Sequence, residues 1–191
     1  MRIWKQHPSD NIQSVYNGFT LTELIIVIAI ISILATVSIP SFSSYISARK
    51  TQITQQKIFS TIRQIRLLAI THAQTIVMCS SVDQITCSAN TDSKNWNDGW
   101  IVFVDLNENK KRDVKKEDIL ILEPKNNSHN IKWNRGSYLA YNYEGKVNQN
   151  GSFFICDNKR VKNQHSRSII INRVGRPYLS KFTSTQKLIE C

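Results

Sequence analysis

The sequence Gly18-Phe19-Thr20-Leu21-Thr22-Glu23 leads directly into an apolar block, residues 24–39, which ends at Pro40. Residues 19–39 comprise 21 positions and carry a single charged side chain, that of Glu23. An α-helix rises about 1.5 Å per residue, so this segment would span roughly 32 Å, enough to cross the hydrocarbon core of a bilayer. The segment therefore predicts a membrane-spanning helix.

The charge on Glu23 is unusual inside such a segment. A carboxylate within a membrane helix costs about 2.5–3.5 kcal/mol at the centre, less near an end, and is rarely kept without a partner. Cleavage between Gly18 and Phe19 would create that partner, a free amine on Phe19. Parallel copies of the helix could then pair the carboxylate of one copy with the amine of the next. The alternative is a plain signal anchor in which Glu23 is tolerated near the membrane interface.

Residues 1–18 are short, carry Arg2 and Lys5, and contain no apolar run. Positive residues ahead of a membrane segment keep that end in the cytoplasm, which predicts that the chain beyond Pro40 lies outside it. An ordinary secretory signal is cleaved after an apolar core of about 7–15 residues. Here the core is longer, and cleavage before it would leave the anchor attached to the chain.

The motif Gly18–Glu23, the basic leader and Pro40 together resemble the class III signal of type IV pilins and pseudopilins. In that family a prepilin peptidase cuts after the Gly and methylates the new N-terminal Phe, which implies processing at Gly18 and Phe19 and an assembly role for Glu23. The resemblance implies a single-pass protein of the bacterial inner membrane, with a cytoplasmic N-terminus and a periplasmic β-domain, that later joins a pilus at the cell surface. It implies the peptidase, other pilin subunits and, before assembly, the inner membrane as partners.

The chain of 191 residues is too short for more than one small globular domain beside this segment. We predict a cleaved leader at 1–18, a membrane and filament-core helix at 19–45, and a globular domain at 46–191. Apolar residues recur at helical spacing well beyond Pro40, which continues the helix to about His72 with one stripe for a sheet to cover. That stripe consists of Ile58, Ile62, Ile65 and Ala69.

Beyond about Gln74, short runs rich in β-branched and aromatic residues alternate with polar turns. Such runs predict strands. They lie at 75–79, 100–104, 119–122, 131–133, 138–143, 152–156 and 168–171. One long N-terminal helix followed by many strands predicts an α+β fold, in which the helix packs on a mainly antiparallel sheet. This is the arrangement of the pilin fold.

The cysteines are Cys79, Cys87, Cys156 and Cys191. An even number outside the cytoplasm favours two disulfides, for which three pairings exist. We predict that neighbours in sequence pair, as Cys79–Cys87 and Cys156–Cys191. A zinc site is the alternative, but the spacings lack the closely spaced cysteine pair that zinc sites use, so no metal is predicted.

The segment 105–113 has oxygen ligands at the first, third, fifth and ninth positions, as a calcium-binding EF-hand loop does. However, Lys110 stands where the sharp turn needs Gly, and Lys116 stands where a bidentate Glu should be. A solvated hairpin is therefore preferred to a calcium site. No nucleophile and base can be paired with the scattered histidines, so we predict neither enzymatic activity nor a cofactor. These are His7, His72, His129 and His165.

Residues 97–105 and 117–120, with Asn107, Asn109 and Asp113, resemble the central hairpin of the GspH/FimT branch of minor pilins and pseudopilins. Three further segments are similar to that branch: Tyr143-Glu144-Gly145, residues 151–156, and Val174-Gly175-Arg176 followed by Cys191. The resemblance implies a minor subunit rather than a major pilin.

Members of the FimT kind act in natural transformation and bind DNA through a basic C-terminal region with a Gly-Arg-x-Arg motif. Gly175 and Arg176 match its first half, but Tyr178 replaces the second Arg. Residues 157–187 hold eight Lys and Arg residues and one Asp, in a chain of net charge +11. Such cations bind phosphates without sequence preference, and interleaved rings can stack on unpaired bases. The predicted DNA-binding residues are Arg167, Arg173, Arg176, Tyr178, Lys181 and Lys187.

The sequence therefore favours a minor type IV pilin of the FimT/FimU kind that binds DNA non-specifically during uptake. One alternative is a GspH-like pseudopilin of type II secretion, and another is a structural minor pilin that primes pilus assembly. In either alternative, the basic C-terminal region is a solvated or docking surface without DNA affinity.

Overall fold

The computed structural model describes residues 18–88, 94–126, 129–157 and 165–189. The chain divides into two compact units, Met1–Ser43 and Ser44–Cys191. Residues 1–17 of the leader predicted at 1–18 lie outside the described residues, as do Cys191 and the basic residues Lys159, Arg160 and Lys162.

The helix α1 runs from Leu21 to His72, a length of 52 residues. A reciprocal capping box starts it, since Glu23 N donates to Thr20 Oγ1 at 3.3 Å and Thr20 N donates to Glu23 Oε2 at 3.4 Å. At its other end Ala73 adopts a φ of +52°, and Gln74 N donates to Ala69 O at 3.3 Å. These bonds satisfy helix carbonyls that would otherwise lack donors. The continuation of the helix to about His72 is confirmed.

The apolar side chains of residues 19–36 are exposed, among them Leu24, Ile28 and Ile33. Within the described residues, no helix combines the length and the apolar character needed to cross a membrane. The expected membrane span of residues 19–39 is therefore not confirmed.

Eight strands follow in the described part of the chain. They are β1 (Ile76–Ser80), β2 (Trp100–Val104), β3 (Ile119–Glu123), β4 (His129–Trp133), β5 (Tyr138–Tyr141), β6 (Gly151–Asp157), β7 (Arg167–Ile171) and β8 (Pro177–Ser180). They form two four-stranded sheets: the first in the order β3-β2-β1-β5, the second in the order β4-β6-β7-β8. All pairings are antiparallel, which confirms the α+β prediction.

Strand β8 was missed by the sequence prediction. It begins with Pro177 and has no run of β-branched residues. It pairs with β7 alone among the described strands, so it is an edge strand, where proline is tolerated because one side of the strand needs no donor.

The core lies where α1 meets both sheets. The predicted helix stripe of Ile58, Ile62, Ile65 and Ala69 is fully buried and shares one cluster with residues of both sheets. Trp133 stacks on Phe153 with ring centroids 4.5 Å apart, and the edge of Trp96 meets Phe153 at 5.0 Å. Aromatic burial of this kind stabilises a domain beyond its contact area.

The predicted disulfide between Cys79 and Cys87 is confirmed. It covers a second, smaller apolar cluster that includes Ile101 and Phe103. Cys156 is also disulfide-bonded, and its predicted partner Cys191 lies outside the described residues.

The loop between β2 and β3 forms around a lysine. Lys110 Nζ lies 3.2 Å from Asp105 Oδ2 and 3.0 Å from Glu108 O. The Asp105 carboxylate is fully buried and also accepts the backbone N–H groups of Asn109 and Lys110. Among the described residues, no group of three or more His, Cys, Asp or Glu side chains could hold a metal ion. The ammonium group of Lys110 therefore neutralises the carboxylate from within the loop.

We expect Lys110→Met to lower the free energy of unfolding by about 1–3 kcal/mol, because Asp105 then keeps a buried charge without its cation. Lys111 is an exposed neighbour. Lys111→Met should therefore change stability by less than about 0.5 kcal/mol. Urea unfolding of both variants measures the difference. Equal stabilities of the two variants would contradict the role given to Lys110.

Candidate nucleic-acid interface

Two turns of the domain have the same sequence pattern and the same hydrogen bonds. One is Asn142-Tyr143-Glu144-Gly145-Lys146 and the other is Asn172-Arg173-Val174-Gly175-Arg176. In each, the Asn side chain accepts the N–H of the fifth residue, at 2.9 Å in the first and 2.8 Å in the second. In each, the Gly N–H donates to the Asn carbonyl, at 2.8 and 3.0 Å. Both glycines have positive φ, which favours Gly in this turn.

The two turns pack against each other. Tyr141 Oη donates to Gly175 O at 2.9 Å, and a Cβ on Gly175 would lie 2.4 Å from Gly145 O. No side chain fits at that position. Arg66 Nε of α1 donates to Gly145 O at 3.0 Å, which attaches the first turn to the helix. The second turn, which carries Arg176, is thereby held beside α1.

A groove of about 780 Å³ lies between α1 and the start of β8, and we call it the arginine groove. Three arginines line it, Arg63, Arg66 and Arg176. Apolar side chains also line it, namely Phe59, Leu67, Ile70 and Pro177. None of the described residues that line it is acidic. The groove is therefore a positively charged site with an apolar surface.

Sequence reasoning missed Arg63 and Arg66 as site residues. They lie three positions apart on α1 and away from its buried stripe, so helical spacing places them on one face. What the sequence did not show is that Arg176, more than a hundred residues later, lies beside them.

Two other predicted residues line a second, smaller groove of about 380 Å³, which we call the glutamine groove. Arg167 and Lys181 meet there with the α1 residues Gln52, Gln55 and Gln56. Gln55 Nε2 donates to Ser168 O at 2.7 Å and to Ser180 O at 3.2 Å, which fixes β7 and β8 against the helix.

The remaining predicted residues lie elsewhere. Tyr178 pairs with Ile170, whereas Leu179 pairs with Ile169, whose side chain is in the core beside α1. Because successive strand residues point to opposite faces, Tyr178 lies on the face away from the helix. Arg173 is exposed in its turn, and Lys187 is exposed in the C-terminal segment. The structure thus brings Arg176 together with helix arginines rather than with Tyr178.

The family model described as type II transport protein GspH matches residues 54–175, more than half of the chain. The chain belongs to the GspH family. A second family model, the prokaryotic N-terminal methylation motif, matches residues 14–39. The GspH-family chain therefore carries an N-terminal methylation motif ahead of its GspH region.

Solved structures agree with the fold of the GspH-family chain. Two crystal forms of the Pseudomonas aeruginosa type IV minor pilin FimU align with TM-scores of 0.51 and 0.54 at 17% and 16% identity. They cover 68% and 69% of this chain and 91% and 89% of their own. The minor pseudopilin EpsH of the Vibrio cholerae type 2 secretion system aligns with a TM-score of 0.47 at 11% identity, over 68% of this chain and 94% of its own. A search of curated proteins found no significant match.

Burial raises the pKa of Tyr141 above its ordinary value of 10.0. The folded state therefore holds the phenolic proton more tightly than the unfolded chain does. The stability contributed by this group is complete below about pH 10 and declines as the pH rises further.

We expect Tyr141→Phe to remove this decline in stability at alkaline pH. At neutral pH the variant should be about 1 kcal/mol less stable, because it lacks the hydrogen bond to Gly175. The exposed Tyr143 serves as the matched control, since Tyr143→Phe should keep the wild-type dependence on pH. Urea unfolding of each variant at neutral and strongly alkaline pH measures both effects. The same loss of stability with pH in the two variants would contradict the assignment to Tyr141.

Proposed function

We propose that this chain is a minor subunit of a type IV pilus that binds DNA non-specifically for uptake in natural transformation, and that it has no enzymatic activity of its own. The observation that carries the proposal is the placement of Arg176 with Arg63 and Arg66 in the arginine groove. The net charge of +11 supports it, because a strong positive excess favours contact with polyanions.

The geometry of the arginine groove suits a phosphate backbone. Arg66 Nε donates a hydrogen bond to Gly145 O, which fixes the orientation of the side chain. The guanidinium group has further N–H donors that can bind a phosphate. Arg63 and Arg176 are exposed, so their charges reach solvent. Arginine binds phosphate oxygens with two parallel hydrogen bonds, which gives stronger contacts than a point charge. Arg167 and Lys181 in the glutamine groove would extend the contact along α1.

The N-terminal segment supports the processing and assembly part of the proposal. We propose that the prepilin peptidase cuts after Gly18 and methylates Phe19, and that the apolar segment anchors the chain in the inner membrane before assembly. In the single chain, Glu23 accepts the N–H of Thr20. In a filament, the same carboxylate would meet the amine of a neighbouring pilin subunit.

The second candidate is a GspH-like pseudopilin of type II secretion, which the matching family model favours. A structural minor pilin that primes assembly is equally compatible with the fold. In both cases the arginine groove would have no affinity for DNA. A measurement of DNA binding therefore separates the pseudopilin and assembly functions from the DNA-uptake function.

We expect the full chain, purified in detergent, to bind duplex DNA of any sequence. Its affinity should fall with salt with a log–log slope of about −3 to −5. Each of the three groove arginines contributes about one unit, and Arg167 and Lys181 add to it where they also contact phosphates. Arg176→Ala and Arg63→Ala should each weaken binding and reduce the slope by about 1. Fluorescence anisotropy at several salt concentrations measures both quantities.

The control is Lys115→Ala, which removes an exposed cation of the loop between β2 and β3 that lines neither the arginine groove nor the glutamine groove. This variant should bind as the wild type does. Absence of DNA binding at low salt would leave the pseudopilin or assembly function as the better account. An equal loss in Lys115→Ala would show that net charge, not the groove, determines the affinity.

A further inference from the structure

We propose that the arginine groove receives unpaired nucleotides, so that the protein binds single-stranded DNA more tightly than duplex of the same length. This inference rests on the proposed DNA-binding function and adds the form of nucleic acid that the site selects.

The first argument comes from the apolar side chains that line the groove. Leu67 and Ile70 are 60% and 47% exposed, although each is large and apolar. They line the groove together with its three arginines and are not part of the buried stripe of α1. In duplex DNA the base faces are stacked on each other, so a duplex offers its phosphates to the arginines and leaves these apolar side chains in water. An unpaired base has a free face that can cover them.

The second argument comes from Phe59 and Arg63. The Arg63 guanidinium lies 5.8 Å from the centroid of the Phe59 ring, within the range of a cation–π contact. Both side chains line the groove, so a ring and a planar cation occupy the same wall. Flat groups of these two kinds are the ones on which unpaired bases stack in proteins that bind single strands.

The third argument comes from the shape of the groove. The groove is bounded on one side by α1 and on the other by Arg176 and Pro177. A recognition helix enters the major groove of a duplex with its face uncovered. Here the turn that carries Arg176 stands beside the helix face, so the surface is concave. We expect a single strand to follow this surface, whereas a duplex would reach the arginines and not the apolar side chains on α1.

The polar residues of the groove complete the site. Ser60 and Gln64 lie on the same face of α1 as Arg63 and are exposed. The Ser60 hydroxyl donates to Lys57 O at 2.8 Å and can still accept from a base edge, and the Gln64 amide can both donate and accept. Ser60 and Gln64 can therefore contact bases without selecting a particular DNA sequence, which agrees with non-specific binding.

The test compares a fluorescently labelled oligo-dT strand with a duplex of the same length, both titrated with the full chain in detergent. We expect the single strand to bind more tightly. Leu67→Gln should weaken single-strand binding roughly fivefold, because a base would no longer cover apolar surface at this position. The same substitution should leave duplex binding unchanged, since it removes no charge.

Two controls make the result specific. Ile53→Gln changes an exposed apolar residue of α1 outside the groove, and it should leave binding to both DNA forms unchanged. Arg176→Ala should weaken binding to both forms, because both supply phosphates. Circular dichroism of each variant verifies that the helix and sheets are retained.

Three results would overturn the inference. Equal affinities for the two DNA forms, with Arg176→Ala still weakening both, would reject the selection of unpaired nucleotides and leave the DNA-binding function standing. A poly-glutamate peptide that displaces the single strand at equal charge concentration would show that the groove binds acidic chains in general. Failure to bind either DNA form would reject both this inference and the proposed function.

Discussion

Burial of one stripe of α1 is the constraint on which the domain depends. Ile58, Ile62, Ile65 and Ala69 contact residues from both four-stranded sheets in a single cluster. The helix supplies these four buried side chains to the larger of the two apolar clusters that the described residues form. Loss of a large apolar side chain here would cost about 2–5 kcal/mol, a large fraction of the stability of a small domain.

The same constraint decides where a ligand can bind. Because the stripe fixes the rotation of α1, Arg63 and Arg66 must lie on a face that the sheets do not cover. The paired turns around Gly145 and Gly175 then bring Arg176 to that face, through backbone contacts that depend on two glycines. The core and the backbone geometry of the turns thus bring the cations of the candidate site together. In the sequence these cations are far apart, and the charge pattern does not show that they are neighbours.

Much of the fold could be predicted from local pattern. The spacing of four, three and four residues in the helix stripe, and the β-branched runs, gave one helix and seven of the described strands. Strand β8 could not be found this way, because Pro177 begins it. Its pairing with β7 depends on tertiary contacts and leaves no local sequence pattern. The paired turns could have been found, since Asn-x-x-Gly followed by Lys or Arg occurs at Asn142 and again at Asn172. The contact between Arg66 and Gly145 could not, because no periodicity links positions so distant in the chain.

The lysine inside the loop between β2 and β3 has a consequence for how the loop responds to its surroundings. A calcium ion in such a loop dissociates when the solution is diluted or a chelator is added, and the loop then loses its organising charge. The ammonium group of Lys110 is attached to the backbone and cannot leave, so its local concentration around Asp105 is fixed by the chain itself. The loop therefore keeps the same shape across environments of very different divalent-ion content, and the two strands it joins keep their register with it.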